Sequence, residues 1–181
     1  DYGLSFQMGH GIAFKFASKL VDLLPSNINH VFFSNSGSEA VDSALKIVLA
    51  YFQAKGKKSK TKFIGRARGY HGSGFGGTSV GGIVANRQQY PNLLNGIVHL
   101  PHTHIPEKNS FSWGQPKYGV EKADVLEDII SFHGKDNIAA VIIEPVAGST
   151  GVLVPPLGYL EKIRKICDEN EILLIFDEVI T

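Results

Sequence analysis

Two unbroken apolar runs constrain this chain most: Ile-Ala-Ala-Val-Ile-Ile over residues 138–143 and Ile-Leu-Leu-Ile-Phe over 172–176. Each has strand length and no polar position, so neither suits a strand with one face in water. Residues 124–132 and 159–170 repeat apolar side chains at helical spacing. Helices that alternate with strands buried on both faces make an α/β fold, a mostly parallel sheet with helices on both faces. The same alternation is expected nearer the start of the chain. A helix over 13–24 runs through Phe14, Ala17, Leu20, Val21 and Leu24 and ends at Pro25. Val31, Phe32 and Phe33 then make a short strand-like run. A small-residue turn leads from there into a second helix through Ala40, Ala44, Leu45, Val48, Leu49 and Phe52, and Phe63 and Ile64 begin another strand.

The segments between have less order. The lysine-rich stretch 55–62 is expected to be a solvated loop. Residues 65–82 are too rich in glycine for a regular helix, and such loops often line sites. Residues 100–118, with Pro101, Pro106 and Pro116, form a long irregular excursion. The 18 basic against 17 acidic side chains leave a net charge of +1, which offers no strong field to nucleic acid or to a membrane surface. Neither is expected as a partner. No apolar run nears the roughly 20 residues of a membrane helix, and residues 1–11 show no leader pattern. The single cysteine, Cys167, forms no internal disulfide, so a cytoplasmic location is expected. Thr181 directly follows a buried-type strand, and both ends are taken as cuts through a larger domain.

Ligands of open α/β sheets sit outside the carboxyl ends of the strands, so polar residues at strand ends are the candidates. Ser36, Gly37 and Ser38 precede the second helix. They offer backbone N–H groups and hydroxyls at the positive end of a helix dipole, suited to a phosphate, or else an ordinary serine cap with Glu39 in the first turn. Asp177 follows 172–176, and a carboxylate at a buried strand end requires a partner, which is either a cationic ligand nitrogen or an internal salt bridge. Glu144 ends 138–143 in the same way, before Pro145. Tyr70 and His71 lie between Gly69 and Gly72. An aromatic ring on such a loop can lie flat on a planar ligand or pack beneath its own loop.

Other patterns are weaker. Gly72, Gly74 and Gly77 match a dinucleotide fingerprint, but no amphipathic helix is expected at Gly77 and no acidic residue lies where a ribose would require one. His99, His102 and His104 flank Pro101 without a nearby cysteine or carboxylate, so no metal site is assigned. Cys167 shares a helix face with Ile163 and is expected to be a packed thiol. The serines near Gly37 do not form a nucleophile elbow.

The run Ser34-Asn35-Ser36-Gly37-Ser38-Glu39-Ala40, the turn Gly69-Tyr70-His71-Gly72, the strand end Glu144-Pro145-Val146 and the terminus Leu174-Ile175-Phe176-Asp177-Glu178-Val179-Ile180-Thr181 together resemble the class III aminotransferases. Residues 77–87, 99–104 and 144–156 are similar in particular to the omega-amino acid (β-alanine):pyruvate aminotransferases. The resemblance covers essentially the whole chain. It implies that residues 1–181 are part of the large, cofactor-binding domain of a fold-type I transferase dependent on pyridoxal 5'-phosphate. It further implies that Ser36, Gly37 and Ser38 serve the cofactor phosphate, Tyr70 stacks on the pyridine ring and Val179 packs on the opposite face. His71 would lie beside the ring, Asp177 would pair with the protonated ring nitrogen, and Glu144 would be close by. The family's Schiff-base lysine falls about thirty residues beyond Asp177, outside this chain.

The implied reaction of the intact protein is transfer of an amino group from an omega-amino acid or amine to pyruvate, in two half-reactions, by a homodimer whose second subunit adds a hydroxyl to the phosphate site. The resemblance also allows an aminomutase or decarboxylase on the same scaffold. A noncatalytic phosphate-ligand-binding module is the alternative from another class. Without its lysine, the chain alone is expected to be inactive.

Overall fold

The structure, a computed structural model, describes residues 8–181. The absence of a leader pattern over 1–11 lies, for its first seven residues, outside them. Two units are distinguished, one ending at Ser34 and one running from Asn35 to Thr181. In the first, helix α1 (Gly11–Leu23) matches the expected amphipathic segment, and His10 caps it by accepting the Ile12 amide. Phe16 and Phe33 stack with centroids 5.7 Å apart. Val31, Phe32 and Phe33 form no strand, contrary to expectation. A strand exists only through a partner's N–H and C=O groups, and no described residue pairs with this run, where Phe32 is 70% exposed.

The second unit is built on four strands: β1 (Lys62–Arg66), β2 (Ile97–Leu100), β3 (Ile138–Ile143) and β4 (Leu173–Phe176). All pairs are parallel and the order is β2-β1-β3-β4. The α/β reading therefore holds. Helix α2 (Gly37–Ala54) buries Val41, Leu45, Val48 and Phe52 against one face of the sheet, with Phe63, Ala139, Ala140 and Ile142. On the other face, α6 (Val125–His133) and α7 (Tyr159–Glu169) pack Leu126, Ile129, Ile130, Ile163, Ile166 and Cys167 onto Ile64, Val141 and Ile143. Every residue of β3 is fully buried, and each of its larger aliphatic side chains contributes about 1.5–3 kcal/mol relative to exposure.

Ala139 and Ala140 fall on the same face although they are adjacent. The β1–β3 register shifts at that point, with Lys62 opposite Ile138 and Phe63 opposite Ala140. One extra residue resets the two-residue alternation, as a bulge does.

Four expectations need correction. The run 172–176 packs on both faces, Leu174 on one and Leu173 and Ile175 on the other, but β4 is only half-buried and Phe176 is 40% exposed. An apolar run marks a strand suited to burial but not its place in the sheet. Residues 65–82 do contain a helix, α3 (Phe75–Val80), held by Asp42, which accepts the Gly77 amide, and by Arg87 on the carbonyls of its far end, with Gly76 and Gly77 buried where a side chain would not fit. The excursion starts on the last residue of β2 and contains a single-turn helix, α5 (Pro106–Asn109); a second single turn, α4 (Val84–Arg87), precedes β2, and 3-10 turns at Val120–Ala123 and Lys135–Asn137 complete the order. Lys60, in the stretch read as solvated, is 1% exposed and donates to the carbonyls of Lys135 and Ile138. No helix among the described residues is long and apolar enough to cross a membrane.

Candidate functional site

From β1 the chain crosses to β2 on one side and then returns to β3 on the other, so the strand order reverses between β1 and β3. The crevice beyond their carboxyl ends is where open α/β sheets bind ligands. Three strands deliver residues to it. Gly69 to Gly72 follow β1, Glu144 follows β3, and Asp177 follows β4, where its amide donates to the carbonyl of Ile143. A cleft of about 180 Å³ is lined by Gly37, Ser38, Tyr70, His71, Gly72, Glu144, Ser149, Asp177, Val179 and Ile180. Every candidate residue read from the sequence borders it except Ser36.

Ser36 is the N-cap of α2. Its hydroxyl accepts the Glu39 amide at 3.2 Å and its carbonyl accepts the Ala40 amide, while a Glu39 carboxylate oxygen accepts the Asn35 amide in return. The serine-cap reading is thus realised at Ser36. The first-turn amides still open to an anion are those of Gly37 and Ser38. The Ser38 hydroxyl accepts the Ser73 amide at 3.0 Å, which ties the loop after Tyr70 to the start of α2. Gly37 is required by proximity, since a Cβ there would lie 2.8 Å from the Cγ2 of Val179.

His71 is fully buried, and its Nδ1 lies 2.9 Å from Oδ2 of Asp177, whose side chain is 8% exposed. An ionised carboxylate only accepts, so the Nδ1 proton is the donor. The other Asp177 oxygen accepts the Val179 amide at 3.3 Å. Asp177 therefore has an internal partner as well as a face on the cleft. His71 Nε2 is buried without a hydrogen-bond partner among the described residues. Tyr70 and Val179 are partly exposed, at 39% and 67%, and present an aromatic and a branched aliphatic surface to the same cleft.

Glu144 is 5% exposed. Its Oε1 accepts the Tyr70 amide at 2.8 Å and its Oε2 the Gly148 amide at 3.0 Å. Sequence reasoning did not foresee those contacts, nor the presence of Ser149 and Ile180 on the wall. Ser149 and Ile180 do lie inside stretches that carry the resemblance, and that was the available signal. The weaker candidates lie elsewhere: His99 faces the Gly81 carbonyl at 2.9 Å, and Cys167 is packed against the far side of the sheet.

Amide donors at a helix start, two apolar surfaces and a buried carboxylate suit a flat ligand with an anionic end and a cationic ring. The profile of the family Aminotransferase class-III matches residues 5–181. An omega-aminotransferase of Caulobacter vibrioides is 60% identical over the whole chain, which covers 41% of that protein. An omega-amino acid--pyruvate aminotransferase of Pseudomonas putida is 52% identical over the whole chain, covering 40% of it. Among solved structures, an amine transaminase from an uncultivated Pseudomonas species, in its PLP-bound form, superposes with a TM-score of 0.89 at 36% identity, over 99% of this chain and 40% of that one. The chain thus spans about two fifths of the length of these relatives.

Proposed function

Because the chain belongs to the class-III aminotransferases, we propose that the intact protein transfers an amino group from an omega-amino acid or amine to pyruvate and that this chain supplies most of its cofactor pocket. The enzymes of this family depend on pyridoxal 5'-phosphate. The donor and acceptor classes are those in the names of the relatives from Pseudomonas putida and Pseudomonas aeruginosa, the latter a beta-alanine--pyruvate aminotransferase. Residues 1–181 are read as part of the large domain of a cytoplasmic homodimer.

The observation that carries this reading is the buried Asp177 carboxylate on the wall of a cleft that opens on the start of α2. Two features fit pyridoxal phosphate. The first-turn amides of Gly37 and Ser38 suit a phosphate. Among the described residues the Asp177 charge lacks a cationic neighbour other than a histidine, which suits a protonated ring nitrogen. Bound there, the cofactor supplies an electron sink for the carbon that loses a proton.

The chain's own residues then have separate tasks. Gly37 and Ser38 anchor the phosphate, with Ser36 holding the turn that presents them. Tyr70 would cover one ring face and Val179 the other, keeping water from the ring. Asp177 would keep a proton on the ring nitrogen. His71 donates to Asp177 and keeps that carboxylate turned toward the ring, and Glu144 sits at the cleft's edge.

The direct test supplies full-length protein with β-alanine and pyruvate and measures alanine. Alanine formation that depends on added pyridoxal phosphate is expected. If pyruvate is not converted to alanine by any omega-amino acid or amine supplied, the reading fails.

A further inference from the structure

Glu144 is the one carboxylate of the cleft whose two oxygens are both engaged by backbone amides of separate loops. Oε1 takes the amide of Tyr70, 74 positions earlier in the chain, and Oε2 takes that of Gly148. Its own carbonyl accepts from Nη2 of Arg66 at 2.7 Å, and Arg66 is itself 2% exposed. One residue at the end of β3 thereby gathers the end of β1, the Tyr70 loop and the turn 145–152. That turn is closed by the antiparallel bridge between Ala147 and Leu153. It also abuts the segment after β4, since a Cβ on Gly148 would lie 3.1 Å from Ile180.

We propose that Glu144 is a positioning residue that sets the width of the slot between Tyr70 and Val179. It holds Tyr70 through one oxygen and, through Gly148 and Ile180, the segment that carries Val179 through the other. The inference rests on the reading of Tyr70 and Val179 as the two ring-facing residues. A carboxylate is needed because it accepts at both oxygens, and charge-assisted bonds to N–H are the strong ones. Glutamine has nearly the same shape but only one accepting oxygen, and its amide group would face the second N–H donor to donor. Aspartate keeps both oxygens but is shorter by one methylene, so its carboxylate does not reach both amides.

Full-length protein carrying Glu144→Gln or Glu144→Asp is compared with wild type in two measurements. Amide hydrogen exchange without cofactor reads the clamp. Each variant is expected to exchange about tenfold or more faster at Tyr70, Gly148 or both. Titration with pyridoxal phosphate, followed by the circular dichroism induced in the cofactor's absorption band, reads the slot. The variants are expected to give a weaker band and about tenfold weaker binding with Tm little changed. A destabilisation without a positioning role would lower Tm and leave the band of the bound cofactor unchanged. Exchange within twofold of wild type at both amides overturns the clamp. Faster exchange with an unaltered band overturns its purpose. If wild type itself develops no band, the reading of the site has failed, which is distinct from wild type binding normally and the variants matching it.

Discussion

At Gly37 a single methyl group has a clear destination. A Cβ there meets Val179 Cγ2 at 2.8 Å, so Gly37→Ala would force apart the start of α2 and the residue read as one ring-facing wall. Because alanine is the better helix former by up to about 1 kcal/mol, which offsets much of the overpacking, Tm should change little. Pyridoxal phosphate affinity of the full-length protein, followed by absorbance titration, should weaken about tenfold, or about 1.4 kcal/mol of binding free energy. Asp177→Asn keeps the shape at the end of β4 and removes the charge. The expected outcome is a fall in kcat of roughly a hundredfold, in the range of losing one preorganised electrostatic group, with circular dichroism in the far ultraviolet unchanged. If the Asp177→Asn variant retained full activity, the assignment of Asp177 to the ring nitrogen would not stand.

Helices α3 and α7 illustrate opposite relations between local sequence and structure. In α7 the apolar spacing of Tyr159, Ile163, Ile166 and Cys167 places all four in the core, and burial pushes the Cys167 thiol up to about 12. At pH 8 its reaction with a thiol reagent should therefore be at least about a hundredfold slower in the folded protein than in urea, because the thiolate is the reactive form. In α3, by contrast, Gly76 and Gly77 oppose helix formation locally, yet the helix forms. The Gly77 amide donates to Asp42 Oδ1 at 2.9 Å, and the Arg87 guanidinium caps the far end on the carbonyls of Thr78, Ser79 and Gly81. A Cβ on Gly77 would stand 2.2 Å from the His71 carbonyl oxygen. Gly77→Ala in the full-length protein should cost about 1–3 kcal/mol in urea unfolding and displace the His71 loop.

For the sheet as a whole, His99 on β2 gives a pH signature. Burial holds its pKa below the ordinary 6.5, so the folded protein keeps the imidazole neutral, and the smaller effect of the nearby Arg87 acts in the same direction. Burial also lowers His102. The unfolded chain takes up protons near pH 6.5 that the folded protein does not. Stability is therefore fully present above that pH and declines as pH falls below it, down to the folded pKa. Urea midpoints of the full-length protein measured from about pH 8 to about pH 5 should fall toward the acid end, and His99→Gln should flatten part of that slope. A slope unchanged by the substitution would place the titrating group elsewhere.

Chain periodicity was enough to establish the α/β class and the places of α1, α2, α6, α7, β1 and β3, because those elements follow from spacing between residues close in sequence. The small residues before the second helix pointed to Gly37 and Ser38, the residues after the strands to Tyr70, His71, Glu144 and Asp177, and the family resemblance added Val179; all of them border one cleft. The folded chain alone set the rest. It made a strand of Ile97–Leu100, left Val31 to Phe33 without one, left β4 only half-buried and turned Ala140 to the same face as Ala139. It also buried Lys60, and it gave both oxygens of Glu144 to amides of separate loops. These outcomes depend on which distant segment supplies a ladder, a carbonyl or an amide. Local propensity carries no record of a partner 74 residues away, and a buried polar group adopts whichever contact satisfies it.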